Sequence, residues 1–287
     1  MNIQSLSVVV PNKKCINDCK FCVSKMHANK YQNNMDISNC NYHMAIEDYI
    51  KRLEFARDNG CNTIILTGSS EPQQNKNFLA TFGLINKNLK NPFKIIEIQT
   101  TGTLLDDNYI KFLKNHVKVT SISISVSSFN DIENKNIIGM KCEFNLKDLC
   151  KIAKDNGLNL RLSLNLNNTF NRYTAHELFM ECKKLGADQV TLRKLYSSSN
   201  ETEQGKWIKE NIYPEDKFKD LINYIKTNGL AMERLEFYKT RYNVMDMSTV
   251  VDEDSMNKEL ADVYKYLILR EDCKLYTKWD TNASLIF

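Results

Sequence analysis

Three cysteines stand where they can act together. Cys15, Cys19 and Cys22 fall in C-x3-C-x2-C spacing within Pro11-Asn12-Lys13-Lys14-Cys15-Ile16-Asn17-Asp18-Cys19-Lys20-Phe21-Cys22. Closely spaced thiolates are the ligand set of iron–sulfur clusters. Three of them can hold three irons of a [4Fe–4S] cube, which leaves the fourth iron open to a substrate or cofactor. Two other readings use the same residues. A zinc site would recruit His27, Cys40 or His43 as a fourth ligand, although zinc loops usually come as two C-x2-C pairs and no second pair exists here. The other is three unrelated core cysteines. The spacing favours the cluster.

A cluster loop needs a scaffold, and the rest of the chain reads as one. Helical stretches end in glycine and lead straight into apolar runs: Asp58-Asn59-Gly60 before Thr63–Leu66, Asp155-Asn156-Gly157 before Leu158–Leu166, Leu185-Gly186 before Gln189–Leu192, and Asn228-Gly229 before Leu230–Phe237. Glycine just past a helix takes the left-handed conformation that closes it, so each is the αβ half of a βαβ unit. The pattern predicts strands near 4–10, 62–67, 94–100, 118–126, 158–166 and 188–194. Helices are predicted near 43–58, 75–90, 106–115, 145–156, 173–185 and 215–228. Six βα units in a row imply a parallel sheet with right-handed crossovers.

The strands alternate. Ser121, Ser123, Ser125 and Ser127 interleave with Ile122, Ile124 and Val126; Arg161, Ser163, Asn165 and Asn167 with Leu160, Leu162, Leu164 and Leu166; Glu97 and Gln99 with Ile96 and Ile98. Period-2 alternation sends the polar set to one sheet face. A doubly covered parallel sheet has two apolar faces, and a closed eight-stranded barrel fills its lumen with branched residues. A curved six-unit sheet with helices outside and a polar, ligand-filled inner face fits better. The expected architecture is therefore α/β, a partial (βα)6 barrel over residues 1–228. A C-terminal α+β extension, 229–287, closes the open end and contains a β-hairpin from Val263–Leu269 through Glu271-Asp272-Cys273-Lys274 to Leu275–Trp279.

Composition narrows the setting. The 287 residues are 42% hydrophobic and 26% charged, with nine cysteines, nine glycines and four prolines. That is a globular composition, and scarce Gly and Pro exclude collagen-like or linker-dominated chains. An odd cysteine count in a chain this long argues against a secreted disulfide framework. Met1-Asn2-Ile3-Gln4 has no basic n-region, and no segment approaches the ~20 apolar residues of a membrane span. A reducing cytoplasm is expected. The net charge of +4 comes from scattered residues and makes no case for nucleic acid.

The cysteine motif, with Phe21 just before its third cysteine, resembles that of the radical S-adenosylmethionine (radical SAM) superfamily. Leu66-Thr67-Gly68-Ser69-Ser70-Glu71-Pro72 is similar to the family's turn after the second strand, with Ser70 at a glycine position. Thr100-Thr101-Gly102-Thr103-Leu104-Leu105 is similar to its turn after the third, with Thr101 at an asparagine position. Ser123–Ser127 followed by Ile138-Gly139 is similar to the fourth strand and the loop beyond it. The resemblance covers roughly residues 5–195. It implies a partial (βα)6 barrel, and Cys15, Cys19 and Cys22 as ligands of a [4Fe–4S] cluster. It also implies S-adenosylmethionine lying against Phe21, Gly68, Ser69, Ser70, Glu71, Thr101 and Gly102. The implied activity is reductive cleavage of that cofactor to a 5′-deoxyadenosyl radical, which takes hydrogen from a substrate.

Given that resemblance, Ser125, Ser127, Arg161, Ser163 and Asn165 are candidates for the cofactor's carboxylate and ribose, or are satisfied polar groups of the sheet. Arg193, at the end of strand six, is a candidate anchor for an anionic substrate or a member of a surface ion pair. Tyr196, Tyr242 and Tyr276 line the substrate space or belong to the core. Cys142 and Cys273 are candidate hydrogen donors or methyl carriers; Cys61, Cys150 and Cys182 sit in apolar patterns as packing residues. A small metabolite or nucleotide is favoured as substrate over a ribosomal peptide or RNA. An electron donor such as flavodoxin or ferredoxin is expected, and no membrane. The alternative from another class is a non-catalytic zinc or Fe–S binding protein.

Overall fold

A computed structural model describes residues 2–26, 46–197, 201–235, 239–252, 259–260, 263–279 and 281–286; His27, Cys40 and His43 lie outside them. Six strands follow the expected order: β1 (Asn2–Val9), β2 (Thr63–Thr67), β3 (Ile95–Thr100), β4 (Ser121–Val126), β5 (Asn159–Leu166) and β6 (Gln189–Lys194). Each pairs in parallel with the next. After the single turn α1 (Val23–Met26), the outer helices are α2 (Ile46–Asp58), α3 (Lys76–Asn88), α4 (Asp107–Phe112), α5 (Asp131–Ile138), α6 (Leu146–Asp155), α7 (Ala175–Lys184), α8 (Glu203–Glu210) and α9 (Glu215–Asn228).

Side-chain oxygens start most of these helices where the sequence supplies them. Asn75, Asp106, Asn130, Asn145 and Thr202 each accept from a first-turn amide, and Thr174 with Glu177 forms a capping box. Helices α5 and α8 escaped the sequence pattern. Each spans only eight residues, and α8 carries Gly205 inside it. The glycine rule holds at Gly60, Gly157 and Gly186, all at positive φ. It fails at Gly229, whose φ is −96°. There the reason for glycine is space: a Cβ would come within 2.5 Å of the Ile225 carbonyl oxygen and 2.9 Å of Val244.

The apolar alternates of the strands, such as Ile98, Ile122, Ile124, Leu160, Leu162 and Leu164, are fully buried in the main core with Leu53, Phe82, Leu149 and Phe179 of the helices. The polar alternates face inward, as their period required.

The extension is more than a cover. After β7 (Leu230–Arg234) and β8 (Thr240–Val244), strand β9 (Met247–Asp252) pairs in parallel with β6. Met245 and Asp246, both at positive φ, form the two-residue turn from β8 to β9. The short β10 (Glu259–Leu260) leads to β11 (Val263–Leu269), which pairs in parallel with β1. The expected hairpin is present as β11 with β12 (Leu275–Tyr276). The sheet therefore runs β10-β11-β1-β2-β3-β4-β5-β6-β9-β8-β7 and stays open. Its eight central strands, β11 through β9, are parallel, two of them contributed by the extension. Among the described residues no helix is long and apolar enough to cross a membrane.

Candidate functional site

The cysteine loop leaves β1 at the C-terminal rim of the sheet, where Val10 N–H donates to the Thr67 carbonyl. Four pieces of structure then pin it. Gln74, in the short 3-10 turn after β2, accepts from the Ile16 amide at 2.8 Å and donates to the Lys14 carbonyl at 2.8 Å. Buried Asn17 donates to Thr101 Oγ1 at 2.8 Å and accepts from Thr103 Oγ1 at 2.9 Å. The amides of Asp18 and Lys20 donate to the carbonyls of Ile138 and Ile137, each at 3.0 Å. Phe21 lies against Trp207 of α8 with ring centroids 6.0 Å apart. Gly139 closes α5 at φ 69°, and a Cβ there would come within 2.8 Å of Asp18. Asn17 and Gln74 were not singled out in the sequence; a short amide side chain between two cysteines was the available signal.

Cys15, Cys19 and Cys22 are half-buried and free on this loop. Burial pushes the Cys15 thiol up, and burial followed by repulsion from Cys22, Glu71 and Cys15 pushes Cys19 well up.

The next two turns are locked to each other. Glu71 is buried, and its carboxylate accepts from Thr100 Oγ1 at 2.7 Å and from the Thr101 amide at 3.0 Å. The Gly102 amide donates to Thr100 Oγ1 at 2.7 Å. Gly68 packs against the end of β1, a Cβ there lying 3.2 Å from the Val10 carbonyl oxygen. Gly102, at φ 90°, packs on Leu149. Ser69 belongs to the same turn, and the buried hydroxyl of Ser70 has no hydrogen-bond partner among the described residues.

On β4 and β5 the candidates divide. The Ser127 hydroxyl accepts from Asn165 at 3.4 Å, and its carbonyl accepts from Asn167 and Thr169. Ser125 is half-buried beside Ser163 in the parallel register, and the buried Ser163 hydroxyl has no partner among the described residues. Arg161 is a satisfied polar group of the sheet. Its fork is already spent, with Nη1 2.7 Å from buried Glu97 and Nε and Nη2 on Gln189 Oε1 at 2.9 and 2.6 Å. It lies near the N-terminal end of β5, away from the cysteine rim.

A cavity of about 840 Å³ occupies the inner face. Val23 and Ser24 of α1 and Gly68 line one end, and Arg161 with Gln189 the other. The extension supplies a wall through Lys239, Arg241, Asp252 and Lys265, and Arg193 of β6 joins it.

The model of the radical SAM superfamily matches residues 9–178, more than half of the chain. This chain belongs to the radical SAM superfamily. It is 25% identical over 198 residues to the antilisterial bacteriocin subtilosin biosynthesis protein AlbA of Bacillus subtilis (strain 168), a match covering 63% of this chain and 42% of that protein. The chain thus spans less than half the length of that curated relative. Its fold is similar to native anSMEcpe with bound AdoMet, with a TM-score of 0.64 at 13% identity over 99% of this chain and 77% of that one. It is also similar to coproporphyrinogen III oxidase (HemN) from Escherichia coli, at 0.54 and 13% over 81% and 55%.

As a radical SAM enzyme the chain uses a [4Fe–4S] cluster and S-adenosylmethionine. Its residues fit both. The Cys15 and Cys19 thiols, raised by burial, would become stable thiolates once iron neutralised them. Among the described residues no three His, Cys, Asp or Glu side chains converge on one ion; a cube with iron at its corners needs its thiolates spread. The orphaned hydroxyls of Ser70 and Ser163 suit a polar cofactor.

The other radical SAM candidates separate on position. Arg193 lines the cavity; Tyr196 does not. Tyr276 is buried and donates to Asp272, and Tyr242 packs at the edge of the core. Cys142 points its thiol at the Thr103 carbonyl, 3.3 Å away, outside the cavity lining. Cys273 is buried at φ 61° in the turn before β12, its thiol pushed up to about 11 by burial. Neither cysteine lines the cavity. Cys61, Cys150 and Cys182 are core residues, as expected.

Proposed function

We propose that Cys15, Cys19 and Cys22 hold three irons of the [4Fe–4S] cluster, and that S-adenosylmethionine lies between Phe21, the turns at Gly68–Glu71 and Thr101–Gly102, and the polar edge of Ser125, Ser127, Ser163 and Asn165. Bound there, the pair supplies a 5′-deoxyadenosyl radical by reductive cleavage of the C5′–S bond, with an electron from a flavodoxin or ferredoxin. The observation that carries this reading is the cysteine loop itself: three thiols held at the strand C-termini by the next βα turns, with the cavity running inward from α1 and Gly68. Ligands of α/β sheets bind at this end.

The chain's own residues do the positioning. Glu71 ties the turn after β2 to the turn after β3, and Asn17 ties the latter to the cysteine loop, so the cluster and its neighbouring turns keep one geometry. Residues 1–228 form the catalytic core, and 229–287 complete the substrate wall. A reducing cytoplasm suits the cluster.

For the substrate, the small-metabolite expectation gives way to a peptide. AlbA is named for bacteriocin biosynthesis, and anSMEcpe has been solved with bound Cp18Cys peptide, at a TM-score of 0.56 and 15% identity over 79% of this chain and 59% of that one.

Anaerobic reconstitution tests the proposal. About four irons per chain are expected, with 5′-deoxyadenosine formed under dithionite. Alanine at Cys15, Cys19 and Cys22 should abolish both; alanine at Cys142 and Cys273 should leave the iron in place. Stoichiometric zinc with no turnover of S-adenosylmethionine would refute it.

A further inference from the structure

The loop that carries the three cysteines also carries a row of cations. Lys13, Lys14 and Lys20 stand on it, each exposed, and Lys14 and Lys20 are chain neighbours of Cys15 and Cys19. A fourth exposed lysine, Lys141, is held beside them between two anchors. On one side of it Gly139 abuts Asp18. On the other, the Cys142 thiol lies 3.3 Å from the carbonyl of Thr103, whose hydroxyl donates to Asn17 at 2.9 Å. None of the four ammonium groups has a hydrogen-bond or ion-pair partner among the described residues. The acid of the loop, Asp18, pairs with Lys25 of α1, and Glu143, two residues past Lys141, pairs with Lys135 at 3.4 Å. Residues 27–45, which continue from α1 in sequence, carry one Lys and one Asp and leave the balance unchanged.

An apolar residue stands among these lysines. Ile16, directly after Cys15, is 39% exposed, although its amide is fixed to Gln74 at 2.8 Å. An exposed apolar side chain with charged neighbours is the make-up of a protein contact, apolar in the middle and polar at the rim. The three cysteines are themselves half-buried, so a cluster held by them lies directly behind this surface.

We infer that this face of the cysteine loop is the docking surface of the electron donor, and that the donor is an acidic flavodoxin. Unpaired ammonium groups steer a protein of opposite charge to the loop, and Ile16 offers an apolar seat for the dimethylbenzene edge of a flavin. Contacts between redox partners are small and transient, which suits a surface made by one loop and its neighbour. One electron passes from the reduced flavin to the cluster. The flavin is oxidised by one electron, the cluster is reduced by one, and no bond or proton is transferred. This rests on the proposed cluster site.

The test is calorimetric titration of the reconstituted full-length enzyme with oxidised flavodoxin, paired with the rate of 5′-deoxyadenosine formation driven by reduced flavodoxin or by dithionite. Lys13→Glu combined with Lys141→Glu should weaken flavodoxin binding at least about tenfold and slow the flavodoxin-driven rate with it. Iron content and the dithionite-driven rate should stay within about twofold, as for surface changes elsewhere. Lys13→Gln alone should weaken binding severalfold, which keeps the test available if the double variant does not fold. Lys87→Glu, in the last turn of α3 that leads to the start of β3, should change neither binding nor rate. No saturable binding of flavodoxin, unchanged affinity in the double variant, an equal loss in Lys87→Glu, or a parallel loss of the dithionite-driven rate would overturn the inference. So would a ferredoxin or a single-stranded oligonucleotide that binds on these lysines where flavodoxin does not. Iron content and dithionite-driven turnover of the wild-type preparation test the underlying site separately.

Discussion

The pair formed by Glu97 and Arg161 gives the sharpest test of how the inner face is built. Glu97 is 4% exposed at its side chain and Arg161 30%, with Nη1 and Oε2 2.7 Å apart. Gln99 donates to the other Glu97 oxygen at 3.2 Å. Replacing Arg161 by Met leaves a buried carboxylate with one neutral donor, a loss of about 3 kcal/mol for a broken buried pair. With an m-value of roughly 3 kcal/mol/M for a chain of this size, the urea midpoint should fall by about 1 M. Changing Glu97 to Leu in the same chain removes the stranded charge, so the double variant should recover most of the loss, with a coupling energy of about 2 kcal/mol. Equilibrium dialysis with S-adenosylmethionine supplies the second readout. If Arg161 is spent on Glu97 and Gln189, affinity for the cofactor should stay within about twofold across the series. A tenfold loss of cofactor affinity in Arg161→Met, with the urea midpoint unmoved, would return Arg161 to the cofactor and refute the assignment.

Asp252→Asn should cost about 3 kcal/mol at neutral pH, because it strands cations inside the wall. Asp252 is held below its ordinary value, so its contribution is complete above about pH 4 and is lost as pH falls through the folded value; urea midpoints should diverge at pH 7 and converge in acid. Gly139→Ala and Gly157→Ala both force a side chain onto φ 69°, a strain of about 1–2 kcal/mol each. Only Gly139 abuts the cysteine loop at Asp18, whereas Gly157 meets the movable end of Lys114. Iron per chain should therefore drop in the first and not in the second. Asn17→Ala removes the link to Thr101 and Thr103 and should speed iron loss to a chelator, while Lys111→Ala, in an exposed pair with Asp107, should not.

What could be read from the chain was what local chemistry dictates. The six strands, their polar inner face and the cysteine loop follow from period-2 alternation, glycine-closed helices and thiol spacing. The choice between the two readings of Arg161 could not be made from sequence, because its partner Glu97 sits two strands away across the inner face and nothing in the residues near 161 names it. Strand β9 and the pairing of β11 with β1 were hidden for a related reason. Their partners β6 and β1 are remote in sequence, so the extension reads as an appendage until parallel register is visible. Gly229 illustrates a third limit: glycine marks a position without saying whether torsion or space is the cause.

The placement of β11 beside β1 has a consequence for how the molecule comes into being. Ser5 Oγ reaches the Lys265 carbonyl across 260 residues of sequence. During synthesis β1 finds its β2 neighbour early, but its other edge waits until β11 is made. Contacts this distant close late and slow the final step. Until then β1 presents Leu6, Val8 and Val9, buried in the finished protein, along a bare parallel edge that invites pairing with other chains. A truncation just after β9 would make that interval permanent. It should yield insoluble protein, even though the cysteine loop and all six original strands are intact.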